Sequence, residues 1–149
     1  MRLVSLVVLG TTLFVSPCLA AKECAHTPTT FKCLTFVSNY DGDTLTLRIP
    51  HISRFFGENA KVRLGGIDSP EIRGKSACER LQAVKAKKFL FRLLSKAEDL
   101  ELRNIKKEKY FRILGDLYAD GKNVSALLLQ AHLAVPYDGG RKNEVDWCK

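Results

Sequence analysis

Five segments of this chain carry the β-branched enrichment or alternation of strands, and two carry the apolar spacing of helices behind capping residues. Their order, three strands, a helix, two strands, a helix, predicts an α+β domain, mainly β. That order is the one of a five-stranded Greek-key barrel of the OB type with two helices. Length agrees: 149 residues, less a leader, give one domain with a single core and no linker or repeat.

The leader is residues 1–20. Met1-Arg2, the apolar residues 3–15 and then Ser16-Pro17-Cys18-Leu19-Ala20-Ala21 are the three parts of a secretory signal peptide. The apolar run is shorter than the roughly 20 residues that span a bilayer. The domain is accordingly residues 21–149, secreted or periplasmic, with no membrane contact after cleavage. Removing the leader takes Cys18 with it and leaves Cys24, Cys33, Cys78 and Cys148, an even set suited to an oxidising compartment. Four cysteines permit three pairings. Cys24 with Cys33 would tie the amino-terminal tail to the first strand, and Cys78 with Cys148 would fasten the carboxy-terminal end to the first helix. The formal charge of +8, one less without Arg2, attracts polyanions: nucleic acid, acidic polysaccharide or anionic membrane.

Residues 30–37 (TFKCLTFV) are the first strand, and turn chemistry at residues 38–42 returns the chain along residues 43–49 (DTLTLRI) as a hairpin. Residues 50–60 read as an irregular connection. Residues 61–67 (KVRLGGI) form the third strand, with Gly65 and Gly66 where it bends. In the Asp68-Ser69-Pro70-Glu71 turn that ends it, the proline stiffens the backbone between the two acids. Ser76 and Glu79 then form a capping box that starts a helix with Ala86, Phe89, Leu90, Leu93 and Leu94 as its buried stripe. Residues 100–104 and 110–118 are the last two strands. Asn123 caps a short helix whose apolar side is Val124, Leu127, Leu128 and Ala131.

Asp43 and Asp68 end strands from different parts of the chain and could meet across the sheet. Two carboxylates with the Ser69 carbonyl are oxygen-only ligands, which suit a hard cation such as calcium. His26, His51 and His132 are scattered and make no zinc spacing. Hydrolysis of a phosphodiester needs a base for the water and cationic donors for the phosphoryl oxygens. Glu71 supplies the first, and Arg63 and Arg112 the second, since guanidinium is a permanently charged planar fork.

Tyr40-Asp41-Gly42-Asp43-Thr44, Val62-Arg63-Leu64 leading to Ile67-Asp68-Ser69-Pro70-Glu71, and Lys109-Tyr110-Phe111-Arg112 leading to Tyr118-Ala119-Asp120-Gly121 together resemble the staphylococcal nuclease family. The resemblance implies a five-stranded OB barrel and a calcium-dependent endonuclease acting on DNA and RNA with little sequence preference, leaving 3′-phosphate ends. It implies Asp43, Asp68 and the Ser69 carbonyl as calcium ligands, and Arg63, Glu71 and Arg112 as the catalytic set. Lys109, Tyr110 and Tyr137 would contact a nucleotide's phosphate and ring. The chain stops soon after Tyr137, where the family's best-known member has a long helix, and a Cys78–Cys148 bridge would take over that helix's work. No stable protein partner is expected, and a monomer is. The alternative is an OB module that binds nucleic acid or another polyanion without cutting it, although every residue of the catalytic and metal sets is present.

Overall fold

The computed structural model describes residues 24–108, 111–141 and 144–148. These form a mixed α+β structure, mainly sheet, with three helices. The principal sheet contains β1 (Thr30–Phe31), β2 (Thr35–Asn39), β3 (Thr44–Arg48), β4 (Ala60–Leu64), β6 (Leu100–Lys107), β7 (Ile113–Ala119) and β8 (Lys122–Asn123). Its path runs β1-β6-β7-β4-β3-β2, with β8 beside β7, and β5 (Ile67–Asp68) pairs separately with β9 (Val135–Pro136). The sheet is open along this path and consistent with an OB-like fold. Its two ends approach one another, for the Leu34 N–H just before β2 donates to the Leu100 carbonyl at the start of β6 (3.1 Å).

The five expected strands are present, and two of them are subdivided. The first is split into β1 and β2 around Cys33, where the backbone turns left-handed with a φ of 54°. Cys33 is disulfide-bonded to Cys24, with Cα atoms 5.4 Å apart. The third is split into β4 and β5 at Gly65-Gly66, and Gly66 takes a φ of 76° that glycine adopts without steric cost. β6 runs on to Lys107, through an irregularity between Arg103 and Lys106 where Asn104 has a φ of 53°. The expectation of two helices is corrected to three: the connection after β3 contains a single turn, α1 (Arg54–Gly57). Its Arg54-Phe55-Phe56-Gly57 sequence has no apolar periodicity from which a helix could be read, and both phenylalanines are exposed.

The long helix α2 (Ala77–Leu94) starts at Ser76, whose side chain accepts from the Glu79 N–H. Only that half of the capping box forms, because Glu79 turns instead towards the loop before it. Ala83, Ala86, Leu90 and Leu94 are its buried stripe, with Phe89 and Leu93 half-buried at the margin. They close the core made by Leu45, Leu47, Val62, Leu64, Leu102 and Leu117, all at most 1% exposed. Full burial of each such side chain is worth about 1.5–3 kcal/mol. The last helix, α3 (Val124–Gln130), is capped as expected, the Asn123 side chain accepting from the Ala126 N–H. Cys78 in the first turn of α2 is disulfide-bonded to Cys148, so both bridges follow the pairing that ties tail to strand and end to helix.

Candidate active site

Register brings the distant acids to Arg63. Antiparallel pairing of β3 with β4 sets Thr44 opposite Arg63, so Asp43 lies at the same end of the hairpin. Pairing of β5 with β9 sets Asp68 opposite Val135 and fixes the strand that follows the glycine bend. Arg63 donates through Nη1 to Asp43 Oδ1 (2.5 Å), and through Nη2 to Asp68 Oδ1 (3.0 Å) and the Ile67 carbonyl (3.4 Å). The other Asp43 oxygen accepts from the Ser69 N–H at 2.8 Å, which locks the turn against β3. Arg63, Asp43, Asp68 and Ser69 are all buried.

Asp41, one turn earlier, folds the loop. Its Oδ1 accepts from the Asp43 N–H (3.0 Å) and the Thr44 N–H (2.7 Å). Gly42 between them packs where a Cβ would strike both Ala86 and Ser69, so only glycine lets this turn sit against α2. Burial raises the Asp41 carboxyl above its usual range. Burial, then the neighbouring Asp41, push Asp43 up to about 6 despite the opposing pull of Arg63. Burial acts to lower Arg63, but Asp43 and Asp68 more than offset it and hold the guanidinium firmly charged. Three carboxylates therefore crowd one arginine, all of them largely shielded from bulk water. That surplus of negative oxygen fits the donor chemistry of a hard cation. Among the described residues, however, no group of three or more His, Cys, Asp or Glu side chains stands arranged as a ready-made metal centre.

Arg63 also faces a cleft of about 880 Å³, shared with Glu71, Glu108, Arg112 and Tyr137. Parallel pairing of β4 with β7 accounts for the meeting of the two arginines, since Arg63 is opposite Leu114 and Arg112 immediately precedes β7. Glu108 binds Arg112 through two parallel bonds, Nε to Oε2 (2.6 Å) and Nη2 to Oε1 (2.8 Å). Tyr137 enters from the opposite side. Its N–H donates to the Gly66 carbonyl, its ring lies 5.9 Å from the Arg63 Cζ, and its hydroxyl donates to the Gly140 carbonyl. The Glu71 loop is held from behind by Glu79, whose carboxylate accepts from the Lys75 N–H (3.0 Å) and the Glu71 N–H (3.4 Å).

Arg63, Glu71, Arg112 and Tyr137 thus converge on one cleft, while Asp43, Asp68 and Ser69 gather behind Arg63 and do not line it. Lys109 and Tyr110 lie outside the described residues. Sequence reasoning gave no role in the site to Asp41 or Glu108, and gave Glu79 a helix cap only. An acid followed by Gly-Asp-Thr is a signal for side-chain bonding to the next backbone N–H groups, and it could have found Asp41. Glu108, four residues before Arg112, has the spacing of an ion pair only if the segment is helical. It was hidden because the stretch reads as a strand connection.

A cleft in which two guanidinium groups meet the carboxylates of Glu71 and Glu108, beside a buried acidic cluster, has the donors that an anionic ester needs. The model of the family described as staphylococcal nuclease homologue matches residues 61–146, more than half of the chain, and the chain belongs to that family, one of nucleases. No curated protein matches it.

Proposed function

We propose that the protein is a secreted, calcium-dependent endonuclease that hydrolyses phosphodiester bonds of DNA and RNA with little sequence preference. The observation that carries the reading is the double engagement of Arg63, pinned by Asp43 and Asp68 on one side and open to the Glu71–Arg112 cleft on the other. A phosphate in the cleft meets two permanently charged forks, so charge that builds on its oxygens in the transition state faces donors already in place. Glu71 is the base: it takes a proton from a water, whose oxygen bonds to phosphorus as the bond to the 5′ oxygen breaks. That oxygen takes a proton from solvent and leaves as a 5′-hydroxyl, the phosphate stays on the 3′ side, and Glu71 returns its proton to solvent. Tyr137 supplies a ring beside the bound nucleotide, and Lys109 and Tyr110 complete the grip on its phosphate.

Asp43, Asp68 and the Ser69 carbonyl are the residues that would hold calcium. When bound, the ion supplies Lewis acidity at a phosphoryl oxygen and offsets the excess carboxylate charge. Closure of the sheet through Leu34 and Leu100 into a five-stranded OB barrel belongs to the same reading, as do residues 1–20 as a signal peptide and a monomeric mature domain.

Cleavage of single-stranded DNA by the mature protein, in calcium, in magnesium alone and in chelator, tests it. The expected result is cutting with calcium only, lost in Asp43→Ala and reduced by about 10² to 10⁴ in Glu71→Gln with DNA binding retained. DNA binding without cutting in any condition would replace the nuclease by a non-catalytic polyanion-binding module.

A further inference from the structure

On α2, Val84, Lys87, Lys88, Phe91 and Arg92 recur at the i, i+3, i+4, i+7, i+8 spacing of a single helix face, distinct from its buried stripe. With the end of β2 at Ser38 and Asn39 they enclose a second groove of about 480 Å³. Its surface combines two features. Phe91 is 51% exposed and Val84 39%, and the Phe91 ring is held edge-on against Phe36 with centroids 5.8 Å apart, so the apolar wall is both open and fixed. Three of its lining residues are cations and none is acidic. The one acid of α2, Glu79, is engaged in the first turn with the backbone of Glu71 and Lys75.

A face that merely keeps a helix in water needs the charges but not an open ring and valine between them. Single-stranded nucleic acid needs both, since it alternates phosphates with flat apolar base faces. An anionic bilayer is matched by a broad convex apolar ridge, whereas a groove between a helix and a strand end accepts one planar group. The groove is also joined to the carboxylate turn. Buried Asn39 donates from Nδ2 to the Lys87 carbonyl (3.0 Å) and the Asp41 carbonyl (2.8 Å).

We propose that this groove is a second nucleic-acid contact, in which one base of a single strand seats against Phe91 and Val84 while the flanking phosphates meet Lys87, Lys88 and Arg92. It rests on the nucleic-acid reading of the cleft and extends the footprint of a bound strand beyond it. Such a contact raises affinity for long strands and leaves the chemical step alone.

The test is equilibrium binding, in chelator, of a fluorescent single-stranded DNA of about twelve nucleotides, within the range that such grooves cover. The double variant Lys87→Glu/Lys88→Glu changes exposed side chains only, and circular dichroism melting verifies its fold. It should bind about tenfold or more weakly, with the slope of log affinity against log salt shallower by about 1.4, two phosphates at about 0.7 each. Phe91→Ala should weaken binding about tenfold through lost stacking. Both variants should cleave a dinucleotide substrate, which occupies the cleft alone, with the wild-type kcat/KM. A double variant with wild-type affinity and salt slope overturns the proposal. So does loss of binding to phosphatidylglycerol vesicles with DNA binding intact, which would make the groove a membrane contact. If the wild type cuts nothing while the groove variants still lose DNA, the groove stands and the catalytic reading of the cleft falls.

Discussion

Arg63 and Arg112 are the two guanidinium groups of one cleft, and they are held in opposite ways. Arg63 is inside the sheet, bonded to carboxylates 20 and 5 residues away in sequence and to a backbone carbonyl. Arg112 is half-buried, and its bonded carboxylate is four residues back in the same connecting segment. Phe111, between that acid and the arginine, is 97% exposed and has a φ of 57°. The first cation is placed by tertiary structure and cannot swing without uncovering buried acids. The second is placed by a local pair of the kind that surface residues exchange readily. A substrate phosphate can take the position of Glu108 on Arg112, whereas at Arg63 it must add to an arrangement already complete. On the proposed reading, one donor is preorganised and the other is released to the substrate.

The largest effect that could break this contrast is expected from Arg63→Ala. Removing the guanidinium leaves Asp43 and Asp68 buried with no cation between them, a change that typically costs about 3–5 kcal/mol. Urea denaturation in chelator at neutral pH should show a loss of that order, together with loss of cleavage. A loss under about 1 kcal/mol would mean that the carboxylates do not depend on the arginine. Arg112→Ala should instead alter stability by at most about 1 kcal/mol and still lower turnover by about 10² to 10³, the usual consequence of removing one transition-state donor. Equal destabilisation by the two variants would abolish the distinction. Glu108→Gln sharpens it further. Relieving the competition for Arg112 should lower KM by about fivefold, the upper worth of an ion pair near the surface. A fall in kcat at constant KM would show that Glu108 aims the arginine rather than occupying it.

The same contrast explains what could be read in the sequence. Asp43 and Asp68 end strands whose alternation and turns fix their direction, so their approach is legible in the sequence, whereas the place of Arg63 between them and of Glu71 in the cleft follows from the family pattern and not from periodicity. Arg112 is legible as a cation but was expected on the fifth strand, which the structure begins only at Ile113, and its partner is not legible. The Glu108–Arg112 pair depends on the path of a connection in which Phe111 is left-handed, which no periodicity encodes. The division of the first strand was hidden for a similar reason. Residues 30–37 have continuous β-propensity, and it is the disulfide at Cys33, with the left-handed φ there, that breaks them into β1 and β2. The α1 turn was invisible because four residues carry no helical period. On α2 the capping box was read correctly at Ser76 and wrongly at Glu79, since local spacing cannot show that the loop after Glu71 offers better donors.

Glu71 stands between the two arginines in the way it is held. Its loop is stiffened by Pro70 on one side and tied on the other by Glu79, which is fixed by the first turn of α2 and neighbours the disulfide-bonded Cys78. Gly74 lies so close that a Cβ there would collide with the Glu79 carboxylate, so the loop is wrapped around this side chain. The smallest of the expected effects follows. Glu79→Ala removes the acceptor for two backbone N–H groups and should cost about 1 kcal/mol, the usual worth of a cap. Because the base is displaced but not removed, turnover should fall by a few-fold to about tenfold with KM unchanged. Glu79→Gln keeps one of the two acceptor oxygens and should recover only part of that loss, since its amide NH2 cannot accept the second N–H. If Glu79→Ala lowers stability as expected and leaves turnover intact, the proline alone orients Glu71. In that event the base, like Arg63, would be held by the strand it follows rather than by the helix beside it.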